Sequence, residues 1–413
     1  MMKIWKLEVK RILKSKMTLV FIAVALGLSI LLSVNLVQGM QLLDREYNKA
    51  YTGMDAIRKA RELGAPHEGP VTPEKLLAIN EAYVAAASEY GGTDNMPEEV
   101  YQERIWPLRQ LVNLVGEITF DEETGFTKPP EERTEADILG YYENRDAFIA
   151  NKLAEKDLRN NPVGLERALS INASVEKPFV YYVYTGWFDG GENLGILILL
   201  LVMILAAVTA PVFSSEYQTG SDSILRCTKN GRGKLAAAKI CASLLIAVLL
   251  FMLCFGLMFG VFCAAFGTES FAASVQMVLS ACIAPLTIGG MNAVMFVSGL
   301  LGLMAVIAFT LFVSSNCKTP MITLIIAVVM ILAPTVIRLF GGGALAAWIR
   351  LCLPSSGLGL GSGMFYELLI HNTFLTVGKL AIWSPYMILG TSVVYTVLFI
   401  LLTLRSYKRH EAA

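Results

Sequence analysis

The chain has 413 residues, of which 55% are hydrophobic and 16% charged, with a formal net charge of zero. A soluble globular protein carries about 25% charged residues, so this composition excludes an ordinary water-soluble fold for most of the chain. The zero also hides a segregation, because acidic and basic residues occupy different stretches.

The N-terminus is basic, with Lys3, Lys6, Lys10, Arg11, Lys14 and Lys16 ahead of an apolar run at 18–37. That run is longer than a signal-peptide core and no small-residue cleavage site follows it, so a retained anchor is expected. Five further apolar stretches lie at 195–213, 235–266, 288–313, 321–337 and 386–404, and Lys239 is the only charge in the six. Each is long enough, or for 321–337 nearly so, to cross a hydrocarbon core of about 30 Å. Backbone amides in lipid must be satisfied within the segment, which makes such stretches helices. The expected fold is all-α, a polytopic membrane protein with six transmembrane helices.

Between the first two spans lies a hydrophilic region, 41–190, in which Asp and Glu outnumber Lys and Arg. Its charge repels anionic surfaces, and no nucleic-acid partner is expected. Its apolar residues recur at helical spacing: Leu42, Tyr47, Met54, Ile57 and Leu63, then Leu76, Leu77, Ile79, Tyr83 and Val84. Thr72 followed by Pro73 and Glu74 reads as a helix start, a third helix is expected near Pro97, and a fourth pattern of Ile138, Leu139, Tyr142, Phe148, Ile149 and Leu153 follows Thr134. Residues 127–130, with Pro129 and Pro130, read as a loop, and β-branched runs are too few to predict a sheet. The aromatic stretch 179–188, ending in Trp187 and Phe188, is expected along the outer membrane interface, where amphipathic rings favour the headgroups. The alternative is an aromatic helix within the core of this region. None of the seven cysteines falls in 41–190, so a disulfide framework there is excluded.

Lys and Arg concentrate on the cytoplasmic side of short loops. With the N-terminus inside, that side holds the six N-terminal residues together with Arg226, Lys229, Arg232, Lys234, Lys239, Lys318, Arg405, Lys408 and Arg409, against only Arg338, Arg350 and Lys379 in the short outer connections. Both termini are therefore expected in the cytoplasm. The chain divides into 1–40, a basic N-terminus and first span; 41–190, an acidic helical extracytoplasmic domain; and 191–413, a five-helix membrane domain with a cytoplasmic coupling loop at 214–238. In the third span Gly256 and Gly260 stand one helical turn apart, a spacing that permits close helix approach, expected here within the chain rather than between two copies.

The most informative segment is the loop after the second span, where Glu216 is followed by Tyr217, Gly220 and Leu225, then by Arg226, Lys229, Arg232 and Lys234, with Lys239 at the start of the next span. It resembles the corresponding loop in type-2 exporter permeases of the ATP-binding-cassette (ABC) superfamily. In that family an acidic residue closes the second span, a glycine follows four positions later, and a basic cluster precedes the third. Glu216, Gly220, Arg232 and Lys239 match this pattern, and one large outer loop followed by closely spaced spans agrees with one branch of the family. The resemblance covers the membrane portion and not 41–190. The chain departs from it at Thr228, Lys229, Asn230 and Gly231, where many members carry proline and serine before the arginine.

The resemblance implies a permease subunit of the bacterial cytoplasmic membrane, paired with a second copy or a sibling permease. Two copies of a separate cytoplasmic ATPase would bind ATP and Mg, and this chain would hold no cofactor. Glu216, Tyr217, Gly220, Leu225, Arg226, Arg232 and Lys239 are the candidate docking residues. Glu216 would anchor the loop by a charge-assisted bond, Gly220 would permit close backbone approach, and the basic residues would pair with lipid or with acidic groups on the ATPase. For each basic residue the plain alternative is that it only enforces orientation.

No motor lies within the chain, since nothing fits the GxxxxGK[ST] phosphate loop. The glycines at 341–343 and 357–363 lack the strand-turn-helix context and are expected to be bends at short re-entrant or interfacial helices. Carboxylate pairs such as Glu98 with Glu99 and Glu131 with Glu132 read as solvated charges, while His67, His371 and His410 are too scattered for a metal site. The spans show no buried Asp or Glu, which argues against proton coupling and for an external energy source. Uncharged helix surfaces suit an amphipathic or hydrophobic cargo, a peptide antibiotic or a lipid-like molecule. The rival readings are a membrane-anchored sensor or scaffold and an intramembrane enzyme; the second needs polar residues at depth.

Overall fold

The computed structural model describes residues 2–43, 49–121, 126–183, 186–228 and 231–409. Tyr47, Tyr184, Thr185, Lys229, Asn230 and His410 lie outside the described residues. The basic N-terminus forms a separate amphipathic helix, α1 (Met2–Lys14), which buries Glu8 and Ile12 and leaves its lysines outside. Ser15 breaks it from α2 (Lys16–Gly39), the first span.

The region that follows is helical, as its spacing predicts. It contains α3 (Gly53–Gly64), α4 (Pro73–Ser88), α5 (Glu98–Arg104), α6 (Arg109–Ile118), α7 (Glu135–Leu139), α8 (Tyr141–Lys152) and α9 (Pro162–Ala173). Thr72 caps α4 by accepting from the Lys75 amide at 3.2 Å, with Pro73 in the first turn. Thr134 and Asp137 form a reciprocal capping box on α7. Asn161 and Pro162 start α9 in the same manner, a helix the sequence reading missed. Short antiparallel pairs tie the connections together: β1 (Gln41–Leu43) with β2 (Lys49–Thr52), β3 (Gly69–Pro70) with β6 (Val180–Tyr181), and β4 (Phe120–Asp121) with β5 (Phe126–Thr127).

Among the described residues six helices are long and apolar enough to cross a membrane, and they coincide with the six expected spans. After α2, the second is α10 (Trp187–Thr209) continued by α11 (Pro211–Thr219), then a short α12 (Ser221–Cys227) leads to α13 (Gly233–Phe266). The rest are α14 (Ile288–Ser314), α15 (Pro320–Phe340) and α18 (Ser384–Arg409), with α16 (Gly343–Leu351), α17 (Met364–Leu369) and a hairpin of β7 (Phe374–Val377) and β8 (Leu380–Trp383) before the last. The chain is a multi-pass membrane protein. α14 is central, packing on α10, α13, α15 and α18, while α2 lies against α10 and α13. Gly256 and Gly260 do not make the expected intrachain approach, since a methyl on either would meet nothing within 4 Å. Close approach occurs at Gly299 on α14 instead, where a methyl would sit 2.6 Å from Ile198 Cδ1.

The helical domain interlocks with the connections between later spans. The buried Arg145 of α8 donates from Nε to Ser280 O at 2.7 Å and from Nη2 to Cys282 O at 2.8 Å, both in the connection between α13 and α14. It also lies over the Phe179 ring at 5.1 Å. Met277 from that connection joins the domain's apolar core beside Leu111, Val115, Ile138 and Phe179. Asn161 reaches the hairpin, its amide donating to Phe374 O at 3.2 Å.

Two expectations fail here. The aromatic stretch does not spread along the lipid interface. Phe179 packs edge-on against Tyr141 and Tyr142 in the domain core, and Trp187 is buried among Phe259, Phe262, Phe266 and Phe271 while its ring nitrogen donates to Gly267 O at 3.0 Å. Ring partners supplied by the protein outcompete the headgroup region. Arg350 is not a solvated flanking charge either, for it is buried in a 2.7 Å ion pair with Glu367. The region 341–370 does bend as its glycines suggest, and it packs into the bundle where Ser355 donates to Met330 O at 2.6 Å and Leu360 N to Thr335 Oγ1 at 3.0 Å.

Candidate functional site

The loop joining the second and third spans lies at the end of the bundle opposite the helical domain, alongside α1 and the C-terminal turns of α18. Its geometry starts at the joint between α10 and α11. Pro211 occupies the first turn of α11, and a helix start leaves amides without intrahelical acceptors. Ser314 of α14 supplies one: its Oγ accepts from the Phe213 and Ser214 amides at 3.1 Å each and donates to Ala210 O at 2.6 Å. α11 thus begins fixed to a neighbouring span.

On α11, Glu216 faces inward. Its Oε1 meets Lys239 Nζ of α13 at 2.5 Å and Arg11 Nη1 of α1 at 2.7 Å. Glu8 completes the group, 3.0 Å from Arg11 and 3.6 Å from Lys239. Lys239 and Arg11 each also donate to Val212 O at 3.2 Å. Two carboxylates and two cations therefore cancel where Lys239 has no exposure at all. A lone charge there would be costly, and pairing with added hydrogen bonds is what makes burial tolerable. Buried carboxylates thus lie at the bundle's ends, outside the six apolar stretches, and among the described residues each of them has a cation.

Gly220 closes α11 with φ +69° and begins α12. Its left-handed backbone is what calls for glycine, because a methyl there would meet no atom of the chain within 4 Å. Gly231 has the other kind of constraint, since a methyl would fall 1.7 Å from Leu225 O. On α12, Arg226 turns back to the bundle, 4.5 Å over the Tyr407 ring, with Nη2 donating to Tyr217 Oη at 3.1 Å. Tyr217 in turn donates to Ser315 O at 3.2 Å.

The candidate residues therefore separate into two sets. Glu216, Tyr217, Arg226 and Lys239 point into the bundle, and the structure brings Glu216 and Lys239 into direct contact. Leu225 is half-buried, while Gly220 and Arg232 are exposed. Sequence reasoning missed three participants. Glu8 and Arg11 complete the buried cluster, and the signal was a single acidic residue among the basic ones of the first 40. Ile224, at the tip of α12, is 73% exposed, an apolar residue where a loop facing only water gains nothing from one. The arrangement binds no reacting group; it offers a short, exposed, rigidly anchored helical turn.

A family model described as ABC-2 family transporter protein matches residues 125–405. That span takes in the later helices of the helical domain, the loop between the second and third spans and the spans after the first. No curated protein matches the chain.

Proposed function

The chain belongs to the ABC-2 transporter family, and from that membership we propose that it is the permease subunit of an ATP-driven exporter. A separate cytoplasmic ATPase would hold the ATP and Mg, and a second permease, identical or sibling, would complete the pore. The end bearing α1, α12 and both termini faces the cytoplasm in this reading, and the helical domain faces outward. The basic residues concentrated at the first end support that sidedness. The cargo is amphipathic or hydrophobic, a peptide antibiotic or lipid-like molecule, in keeping with spans whose surfaces are almost free of charge.

The observation that carries the proposal is the α11–Gly220–α12 turn, exposed at its tip and pinned from within. A coupling element must meet its motor on one face and transmit displacement through the other. Ile224, Leu225 and Arg232 supply the outer face. Glu216, Tyr217, Arg226 and Lys239 link it to α1, α13, α14 and α18, so that motion of the loop moves four helices together.

Co-purification in detergent with ATPase candidates from the same cell tests this. Wild-type chain is expected to retain an ATPase, and Ile224→Asp or Arg232→Glu to lose it with an unchanged melting temperature. Recovery of no ATPase, even after crosslinking, would overturn the permease reading in favour of a membrane-anchored sensor or scaffold.

A further inference from the structure

At the opposite end, where the helical domain meets α15 and α16, lies a cleft of about 430 Å³. Lys156, Asp157 and Arg159 line it from the domain, and Arg338, His371 and Asn372 from the membrane side. Two guanidinium groups, Arg159 and Arg338, thus line a cleft whose one carboxylate, Asp157, already accepts from Asn372 Nδ2 at 2.8 Å. Arg338 Nη2 donates to His371 Nδ1 at 3.3 Å, and His371 Nε2 in turn donates to Gly361 O at 3.1 Å, which holds the guanidinium in place at the cleft. Arg159 is exposed and has no partner among the described residues. In a domain that is acidic as a whole, this is a local excess of positive charge.

The surroundings name the anion's carrier. Arg338 stands in the last turn of α15, at the end of a helix long and apolar enough to cross a membrane. Just beyond it Leu339 and Phe340 are 71% and 86% exposed, and Leu345 and Ile349 of α16 also face outward. Guanidinium groups match phosphate oxygens in geometry as well as charge, and an apolar apron beside them suits acyl chains. A free phosphate would leave that apron bare.

We propose that this cleft holds the phosphate of an anionic phospholipid from the leaflet on the side of the helical domain, with its acyl chains over Leu339, Phe340, Leu345 and Ile349. The site bridges the domain and the end of α15, so a bound lipid joins the two. It is independent of whether an ATPase binds at the other end.

Lipid titration of the purified full-length chain, followed by native mass spectrometry, tests the proposal with phosphatidylglycerol against phosphatidylcholine of equal chain length. Wild type is expected to prefer phosphatidylglycerol by about tenfold in Kd. The double variant Arg159→Gln/Arg338→Gln should lose the preference while keeping its phosphatidylcholine binding, and Arg338→Lys should retain part of it. Should the double variant not fold, Arg159→Gln alone, at an exposed side chain, is expected to lower the preference about threefold. Equal binding of the two lipids by wild type, or an unchanged preference in the folded variants, would overturn the proposal. Displacement of phosphatidylglycerol by an equal concentration of inorganic phosphate would also overturn it, and would assign the cleft to a soluble anion.

Discussion

The two ends of the bundle are closed by different chemistry. At the end bearing α1 and α12, Glu8, Arg11, Glu216 and Lys239 come from α1, α11 and α13 and neutralise one another. At the far end the buried Arg145 is held largely by main-chain carbonyls of the connection between α13 and α14. Side chains that neutralise each other can be exchanged or removed as pairs, whereas the carbonyls that Arg145 grips in that connection cannot be removed with it, its side-chain partners Asp146 and Asn172 lying within its own domain. The first end is therefore a joint between helices that each keep their own backbone bonds. At the second, a loop takes its shape from one side chain.

The largest effect expected from this difference is at Lys239. Lys239→Met leaves two buried carboxylates with Arg11 alone and should lower stability by about 3–5 kcal/mol, read as melting in detergent. Adding Glu216→Gln should restore most of the loss; a double variant as unstable as the single one would break the comparison. Arg145→Met should cost less, about 1–3 kcal/mol for the carbonyls left without a donor. Hydrogen exchange should then rise in 267–287 while α11 and α12 stay protected, and a rise at both ends would show that they are not separate. The smallest effect concerns pH. The Asp137 carboxyl is held down at about 2 by the Lys128 ammonium and the Thr134 amide. A depressed folded value stabilises the domain above about pH 4 and is lost as pH falls toward 2. Lys128→Met should flatten that acid limb slightly, because both side chains are about one-third exposed, and the carbonyl contacts of Arg145 should not titrate there.

Hydropathy located all six spans because lipid imposes length and composition on each one separately. The caps at Thr72 and Thr134 were legible for a similar reason, their partners being three residues away. What composition and spacing did not carry was pairing across the chain. Glu216 and Arg11 are 205 positions apart, and nothing in the sequence near either names the other. Arg350 was indistinguishable from a solvated flank until Glu367 was placed beside it. The rings at 179–188 were read by their position before a span, whereas their surroundings were set by Tyr141, Tyr142 and the phenylalanines of α13. Gly256 and Gly260 show the converse, a local pattern that no described residue approaches within 4 Å of an added methyl.

The grip of Arg145 and the presence of Met277 in the apolar core of the helical domain bear on modularity. The helical domain is sewn from separate passages of the chain, one long and others contributed by the connections between spans. Cut out at its sequence borders, the long passage would carry a hole where Met277 sat and a guanidinium that had lost Ser280 O and Cys282 O and kept only Asn172 and Asp146. Such a body cannot be moved between permeases as a cassette; it has to change together with the loops that complete it.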